Sequence, residues 1–472
     1  LSGIHATEQT DYTYNTSLAS KHIFKPSSVT NSVSGAKVQT STSNTTNFQY
    51  DSAGLLTAKI TEPGTDKQIT ETYSSFDRGL PRTITRTWSS SNTANTSLVG
   101  NSTTEDYTYD VNGAVSTKVD ALGHTQHLTA HPLYDVQSSY TDINGQTTTT
   151  ELDVLGRVTK VAAPQYTSNL EYKDCSGCGD NARYYVYKTT TAQPAEKQYY
   201  DTLGREVKSE KQVLNGAWSQ TTTAYNAKGQ VTKVSEPSFG TPTHFTTYVY
   251  DNAGRTSLEN KPASDHSIAY SYNGLVHTKT ENFSGGFQTS INSMNAFGLL
   301  DYGLDAMNNK TLYFYNGRKQ LVKTIDVDGN EITIEYDDLG NRTKLVDPDK
   351  GTWTFANNAF GLVASETNGN GQVTSFNYDL LGRMTSRTNS EGTSTWQYDV
   401  ATNGVGQLYQ AKQNGYKETY AYDGFGNLAQ KAVEFGDGQT AEMNWHYVQG
   451  KLNTQTFPGG YAIKQVYNST GY

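Results

Sequence analysis

Residues 321–336, LVKTIDVDGNEITIEY, alternate as a strand does. Leu321, Lys323 and Ile325 share one face, with Val322 and Thr324 on the other. After Asp328-Gly329, Ile332, Ile334 and Tyr336 again fall on alternate positions. Period-two patterning on both sides of an Asp-Gly pair predicts a β-hairpin with a two-residue turn. Asp337-Asp-Leu-Gly340 then turns the chain the other way. Asp at the first turn position accepts hydrogen bonds from the following amides. Gly at the fourth takes positive φ and closes a type I turn with a bulge. One unit is therefore two strands and two turns.

The second of these turns recurs along the chain as Tyr-Asp-x-x-Gly, often followed by Arg or Asn. Clear copies are Tyr50-Asp51 to Gly54, Tyr200-Asp201 to Gly204, Tyr250-Asp251 to Gly254, Tyr336-Asp337 to Gly340 and Tyr378-Asp379 to Gly382. Tyr315, Tyr336, Asn357, Tyr378 and Tyr398 follow one another at 21, 21, 21 and 20 residues. A fixed period of this size means one supersecondary unit repeated many times. Tyr272-Asn-Gly274 and Tyr315-Asn-Gly317 read as shortened copies that keep Asn-Gly, the preferred type I′ pair. The array runs over 50–472 and breaks off within a unit at 467–471, whose form is that of the next turn. With Leu1 in place of a start methionine and no signal pattern in 1–20, an excised or processed segment is expected.

The N-terminal part is looser. Residues 1–49 read as an irregular segment. Between Tyr50 and Tyr109 the one intermediate turn that can be placed is Phe76-Asp-Arg-Gly79. The Ser/Thr/Asn-rich stretches 32–47 and 89–104 read as long hairpin loops or mobile segments. Asp153-Val-Leu-Gly156-Arg157 resumes the pattern, and 164–199, which carries Cys175-Ser-Gly-Cys178, reads as the main insertion.

The expected fold is all-β: tandem hairpins joined into one long antiparallel sheet, which must twist and wind into a spiral. Thr, Gly and Asn saturation argues against any long helix. Hydrophobic residues make up only 34% even with 34 Tyr among them, less than a conventional core wants. Tyr at the same place in each unit would stack on its neighbours, each cross-strand pair contributing roughly 0.2–1 kcal/mol. About 34 strands at ~4.8 Å each give a ribbon of roughly 160 Å, enough for one ring. Its terminal strand edges would lie open and pair with other chains.

The net charge is −9 with no basic stripe, which excludes nucleic acid as an expected partner. No apolar stretch reaches the length of a membrane-spanning helix. Cys175 and Cys178 supply two of the four ligands structural zinc wants, and His124, His127 and His131 lie upstream. The better reading is a local disulfide or two free thiols, with the histidines solvated or lining the wall. Asp326-x-Asp328-Gly and Asp347-x-Asp349 lack the full calcium-loop pattern and read as turn caps. No nucleophile elbow occurs. The chain is therefore expected to be no enzyme and to hold no cofactor or metal. Trp88, Trp218, Trp353, Trp396 and Trp445 are candidates for stacking on sugar rings, against the plainer reading that they pack along the wall.

At the Tyr-Asp-x-x-Gly-Arg turns, with Gly156-Arg-Val-Thr159, Gly229-Gln-Val-Thr232 and Gly382-Arg-Met-Thr385, the chain resembles the RHS/YD-repeat family. The likeness covers about residues 50–472. Members include bacterial polymorphic toxins, the toxin-carrying component of insecticidal toxin complexes, wall-associated bacterial proteins and animal teneurins. The resemblance implies a β-strip spiralling into a hollow shell that, in the bacterial toxins, encloses a C-terminal toxic polypeptide. Those toxins follow the repeats with a self-cleaving core bearing Asp-Pro-x-Gly. Asp347-Pro-Asp-Lys-Gly351 here has one residue too many and sits inside a regular repeat, so no catalytic aspartate is carried over. The expected role is a structural shell segment of a secreted or surface bacterial protein. Its partners would be an enclosed toxin or the remaining parts of the same protein. The alternative is an extracellular adhesin-like array that binds carbohydrate or protein.

Overall fold

The computed structural model describes all residues except 1–5, 16–24, 36–41, 135, 176, 263–264, 469–470 and 472. Among the described residues there are 39 strands, one 3-10 turn (Thr93–Ser97) and no α-helix. The strands form one sheet, and the registered pairings join each strand antiparallel to its successor in the chain. Turns consequently alternate between two edges of the strip. The Tyr-Asp-x-x-Gly turns all fall on one edge, the motif edge. The turns between them fall on the other, the opposite edge.

By contacts the chain divides into two units. The first holds Leu1–Gln146, Tyr313–Trp445 and Thr456–Tyr461; the second holds Thr147–Leu312, His446–Gln455 and Ala462–Tyr472. In both, few side chains are fully buried. The first unit has an apolar cluster of Trp88, Leu98 and Tyr378. The second has Cys175, Ala182, Tyr199 and Val207. Most strand residues are half-buried, as expected where Tyr and Thr replace a Leu-rich core.

The looser regions are more regular than their sequence suggests. Residues 1–49 are not irregular where described: Ala6–Tyr14, Pro26–Gly35 and Thr42–Tyr50 are paired strands of the sheet. Thr-on-Thr pairing such as Thr30 with Thr45 does there what Tyr and Val do later. Most of 32–47 is therefore strand, and the turn itself lies outside the described residues. Of the stretch 89–104, residues 89–101 are a loop as expected, but an ordered one, and 102–104 already belong to the strand Ser102–Tyr109. Asn92 caps its 3-10 turn, and Ala94, Asn95, Ser97 and Leu98 are buried. The insertion 164–199 shrinks to 175–183, because Tyr166–Asp174, Tyr184–Thr190 and Glu196–Tyr200 pair in regular register. Cys175 and Cys178 form a disulfide that closes this loop, with Cα atoms 5.7 Å apart.

Candidate functional site

The repeated turn is one device with three parts. In the first copy the Asp51 amide donates to the Leu55 carbonyl (3.0 Å) and the Gly54 amide to the Asp51 carbonyl (3.1 Å). Asp51 Oδ1 also accepts from the amides of Ala53 (2.9 Å) and Leu55 (2.8 Å). Asp201, Asp251, Asp337 and Asp379 repeat this pattern two and four residues on. Gly54, Gly204, Gly254, Gly340 and Gly382 have φ of 85°, 75°, 83°, 92° and 79°, the left-handed conformation that glycine adopts without strain.

The residue after the glycine locks the other carboxylate oxygen. Arg205, Arg255 and Arg383 donate Nε to Oδ2 of their aspartates at 2.8, 2.8 and 2.7 Å. Asn341 does the same for Asp337 at 3.1 Å. The tyrosine is the third part. Its hydroxyl donates to a carbonyl in an earlier strand: Tyr50 to Pro26, Tyr250 to Val231, Tyr336 to Leu321, Tyr378 to Val363. Asn357, standing where Tyr is expected, reaches the Arg342 carbonyl in the same way (2.9 Å). Tyr200 departs: it follows the disulfide hairpin, bonds Gln198 and stacks on Tyr184.

The expected ladder of stacked tyrosines is largely absent from the described residues. A motif arginine instead lies over the aromatic ring of the next unit: Arg157 over Tyr172, Arg205 over Tyr225, Arg255 over Tyr272, Arg342 over Phe355 and Arg383 over Tyr398, at 4.1–4.6 Å. The guanidinium of Arg157, Arg205, Arg255 or Arg383 thus closes its own turn and binds the following hairpin, whereas Arg342, whose turn is closed by Asn341, makes the second contact alone.

Three turn assignments need correction. Asp326 to Asn330 is a second turn of the same five-residue kind, with Asp326 Oδ1 accepting from Asp328 and Asn330, and not a two-residue Asp-Gly turn. Tyr315-Asn-Gly317 is not shortened: Asn316 caps the turn and Lys319 takes the left-handed place at φ 64°. At 272–276 the chain does reverse in two residues, but these are Gly274-Leu275, since Asn273 pairs with Val276. In the first two cases side-chain capping by Asp or Asn decides the turn.

Asn308 also occupies the glycine place, at φ 63°. A β-branched residue there should cost about 1–2 kcal/mol. No atom lies within 4 Å of a Cβ added at Gly204, so Gly204→Val should show this strain alone, while at Gly382 such an atom meets Leu362 Cδ1 at 3.3 Å. Gly382→Val should therefore lower the melting temperature more than Gly204→Val, and Gly204→Asn should recover most of the loss. Equal melting of all three variants and the parent would refute the turn.

The electrostatics follow the same geometry. The Arg255 amide and then its guanidinium hold the Asp251 carboxyl below its ordinary range. The Asn309 amide and side chain do so for Asp305. Burial pushes the Tyr336 and Tyr378 phenols up. A depressed carboxyl gives stability that is present above its unfolded value, near 4, and lost as pH falls through the folded one. A raised phenol gives stability present below its unfolded value, near 10, and lost as pH rises above it. The melting temperature should thus hold a plateau between about pH 5 and 9 and fall on both sides. A stability still rising from pH 5 to pH 3 would contradict the carboxylate half of this.

The opposite edge has its own partner. In the first unit, opposite-edge turns of the early segment meet motif-edge turns of the later one. Lys67 pairs with Asp338 (3.4 Å). Asn358 reaches Ser97 (2.9 Å), the Ala359 amide donates to Asn95, and Trp88 meets Phe360 edge-on at 5.2 Å. Asn144 exchanges two 2.9 Å hydrogen bonds with the Val405 backbone, and Gln146 reaches the Gly424 carbonyl. In the second unit Asn468 likewise reaches the Leu214 carbonyl (3.3 Å). The structure therefore contains a seam, repeated turn by turn, between edges far apart in sequence.

The remaining candidates fall along this framework. His124 lies between Asp120 (Nδ1, 2.9 Å) and Asp399 (Nε2, 3.6 Å); the His131 ring lies against Tyr134 and its Nδ1 accepts from the Leu133 amide, and His127 is exposed. Asp347 caps its own turn through the Asp349 and Lys350 amides. Trp88 is buried, and Trp218, Trp353, Trp396 and Trp445 are half-buried rather than presented as platforms.

The RHS Repeat family model matches residues 315–352 and 358–395. A curated relative, the tRNA3(Ser)-specific nuclease WapA of Bacillus spizizenii, is 27% identical over 194 residues, covering 36% of this chain and 8% of WapA. Among solved structures, TcdB2-TccC3 without its hypervariable C-terminal region matches 99% of this chain and 34% of its own length, at a TM-score of 0.77 and 11% identity. The Tc holotoxin pore of Photorhabdus luminescens matches 99% of this chain at a TM-score of 0.75 and 12% identity. The chain thus shares their fold and spans about a third of the length of these solved chains.

Proposed function

Since this chain is an RHS-repeat protein, we propose that it is a length of shell wall from a secreted or surface-delivered bacterial protein. Its work is mechanical: holding an enclosed toxin polypeptide away from its surroundings. The seam carries this reading. A strip that closes its own edges turn by turn is suited to exclude solvent and proteases, whereas a flat array of binding sites has no need of it. The fold shared with TcdB2-TccC3 supports it. We further propose that the chain itself catalyses nothing. Its recurring carboxylates are occupied by turn amides and motif arginines, so they serve as fasteners. WapA is named as a nuclease, but the match covers only 8% of it.

The test is limited proteolysis of the natural full-length protein. Polypeptide outside the repeats should resist cleavage until the denaturant concentration at which the wall unfolds. If that polypeptide is cut equally fast in native buffer and in denaturant, or if none exists, the enclosure is refuted.

A further inference from the structure

Two loops of the second unit meet over one face of the strip. The disulfide loop 175–183 comes from the motif edge and lays Cys175 and Ala182 on Tyr199 and Val207. The loop 236–244 comes from the opposite edge. Its Ser238 exchanges backbone hydrogen bonds with Gln220 (2.9 and 3.0 Å), and the Gln220 side chain reaches the Gly240 carbonyl. Between the loops lies a cavity of about 510 Å³. Small-molecule sites run from roughly 300 to 1,000 Å³. Val207, Ala224 and Phe245 line it from the strands, Asp180 and Pro242 from the loops.

The charges around this cavity leave one cation over. Arg205 and Asp201 both line it but are spent on each other, with Nε and Nη2 of Arg205 at 2.8 and 2.6 Å from Asp201 Oδ2. Lys233 is half-buried, and its Nζ lies 3.4 Å from the centre of the Phe245 ring. Among the described residues it has no carboxylate partner. Asp180 stands exposed on the disulfide loop. The interior thus holds a single unpaired ammonium beside aromatic and aliphatic surface.

We propose that this cavity binds a small monocarboxylate that carries an apolar group, of the size of a short N-acylated peptide. Lys233 takes the carboxylate in a charge-assisted hydrogen bond. Val207, Ala224 and Phe245 take the apolar group, and Asp180 accepts from an N–H of the ligand at the rim. A dianion such as phosphate is disfavoured, because Asp201 and Asp180 already stand near the one free cation. The disulfide fixes the loop wall before a ligand arrives, which lowers the ordering cost of binding. The cavity is built wholly from residues 180–245, so the inference is independent of what the wall encloses.

Calorimetric titration of the purified chain with N-acetyl-alanyl-phenylalanine tests it. One peptide should bind per chain. The C-terminal carboxamide of the same peptide should bind about tenfold more weakly or worse, since it lacks the charge that Lys233 meets. Lys233→Met should cost the free acid a similar factor and leave the melting temperature unchanged. Ala224→Phe, which fills the cavity from an exposed strand position, should abolish binding of both peptides. Inorganic phosphate should not displace the free acid. Absence of saturable binding to the parent would overturn the proposal. So would equal binding of acid and carboxamide, displacement by phosphate, or a folded Lys233→Met or Ala224→Phe variant that binds as the parent does.

Discussion

Replacing Trp88 by alanine should lower the unfolding free energy by about 3–5 kcal/mol, the range for removing a large buried aromatic. The ring is 4% exposed and lies at the centre of the seam, against Phe360, Leu98 and Tyr378. Its removal empties a site that cannot collapse easily, since the surrounding side chains come from segments held by their own hydrogen bonds. Trp88→Phe should cost much less. Among the described residues the indole Nε1–H meets no acceptor, and leaving such a donor buried costs roughly 1–3 kcal/mol that phenylalanine recovers. Urea unfolding gives the free energies. Amide exchange at Ala359, whose N–H donates to Asn95 Oδ1, should quicken in the alanine variant before global unfolding. A cost under 1 kcal/mol for alanine would mean that the seam contributes little.

The sequence made the repeat legible because its instructions are local. Asp at the first turn position and Gly at the fourth are sufficient to fix the hairpin, and both do what their chemistry predicts at 51–54, 201–204 and 379–382. Local rules also misled where several turn types compete. Asp328-Gly329 suits a type I′ pair, but Asp326 two residues earlier offers two lone pairs to the amides of Asp328 and Asn330, and that capping decides the turn. Lys319 and Asn308 were invisible as glycine substitutes for the same reason: the turn tolerates them once capped. The arginine was quoted in the motif, yet its second contact, on the next unit's ring, depends on hairpin twist rather than spacing. The seam was least legible of all. Asn144 and Val405 are 261 residues apart, and nothing in either neighbourhood specifies the other. The stretch 89–104 looked like low-complexity polar sequence, yet its one tryptophan neighbour and Leu98 hold the buried cluster.

Replacing Arg383 by methionine should cost about 3 kcal/mol, toward the lower end of what breaking a buried ion pair costs. Arg383 is the motif arginine with the most to hold. Its side chain is 19% exposed, its Nε donates to Asp379 and its Nη1 to Asp399 at 2.9 Å, and it lies over Tyr398. Asp399 in turn accepts from the Gly406 amide and faces His124 across the seam. Burial pushes the Asp399 carboxyl up, but the Arg383 guanidinium, the Gly406 amide and the charge of His124 outweigh it, and the net value lies below the ordinary range. Removing the guanidinium leaves two half-buried carboxylates facing each other. Asp399→Asn should therefore recover part of the loss in the double variant, which a purely steric role for Arg383 would not allow. The pH dependence has a definite sign. A depressed carboxyl stabilises the fold above its unfolded value, near 4, and ceases to do so as pH falls through the folded one. The gap in melting temperature between parent and Arg383→Met should thus be widest from pH 5 upward and narrow below pH 4. Arg255→Met removes the same motif residue where the side chain is 45% exposed and the pair is open to solvent, so its cost should be a small fraction of that at Arg383. Equal losses at the two positions, or a gap that widens in acid, would show that the motif arginine acts by turn closure alone and that the seam draws no support from it.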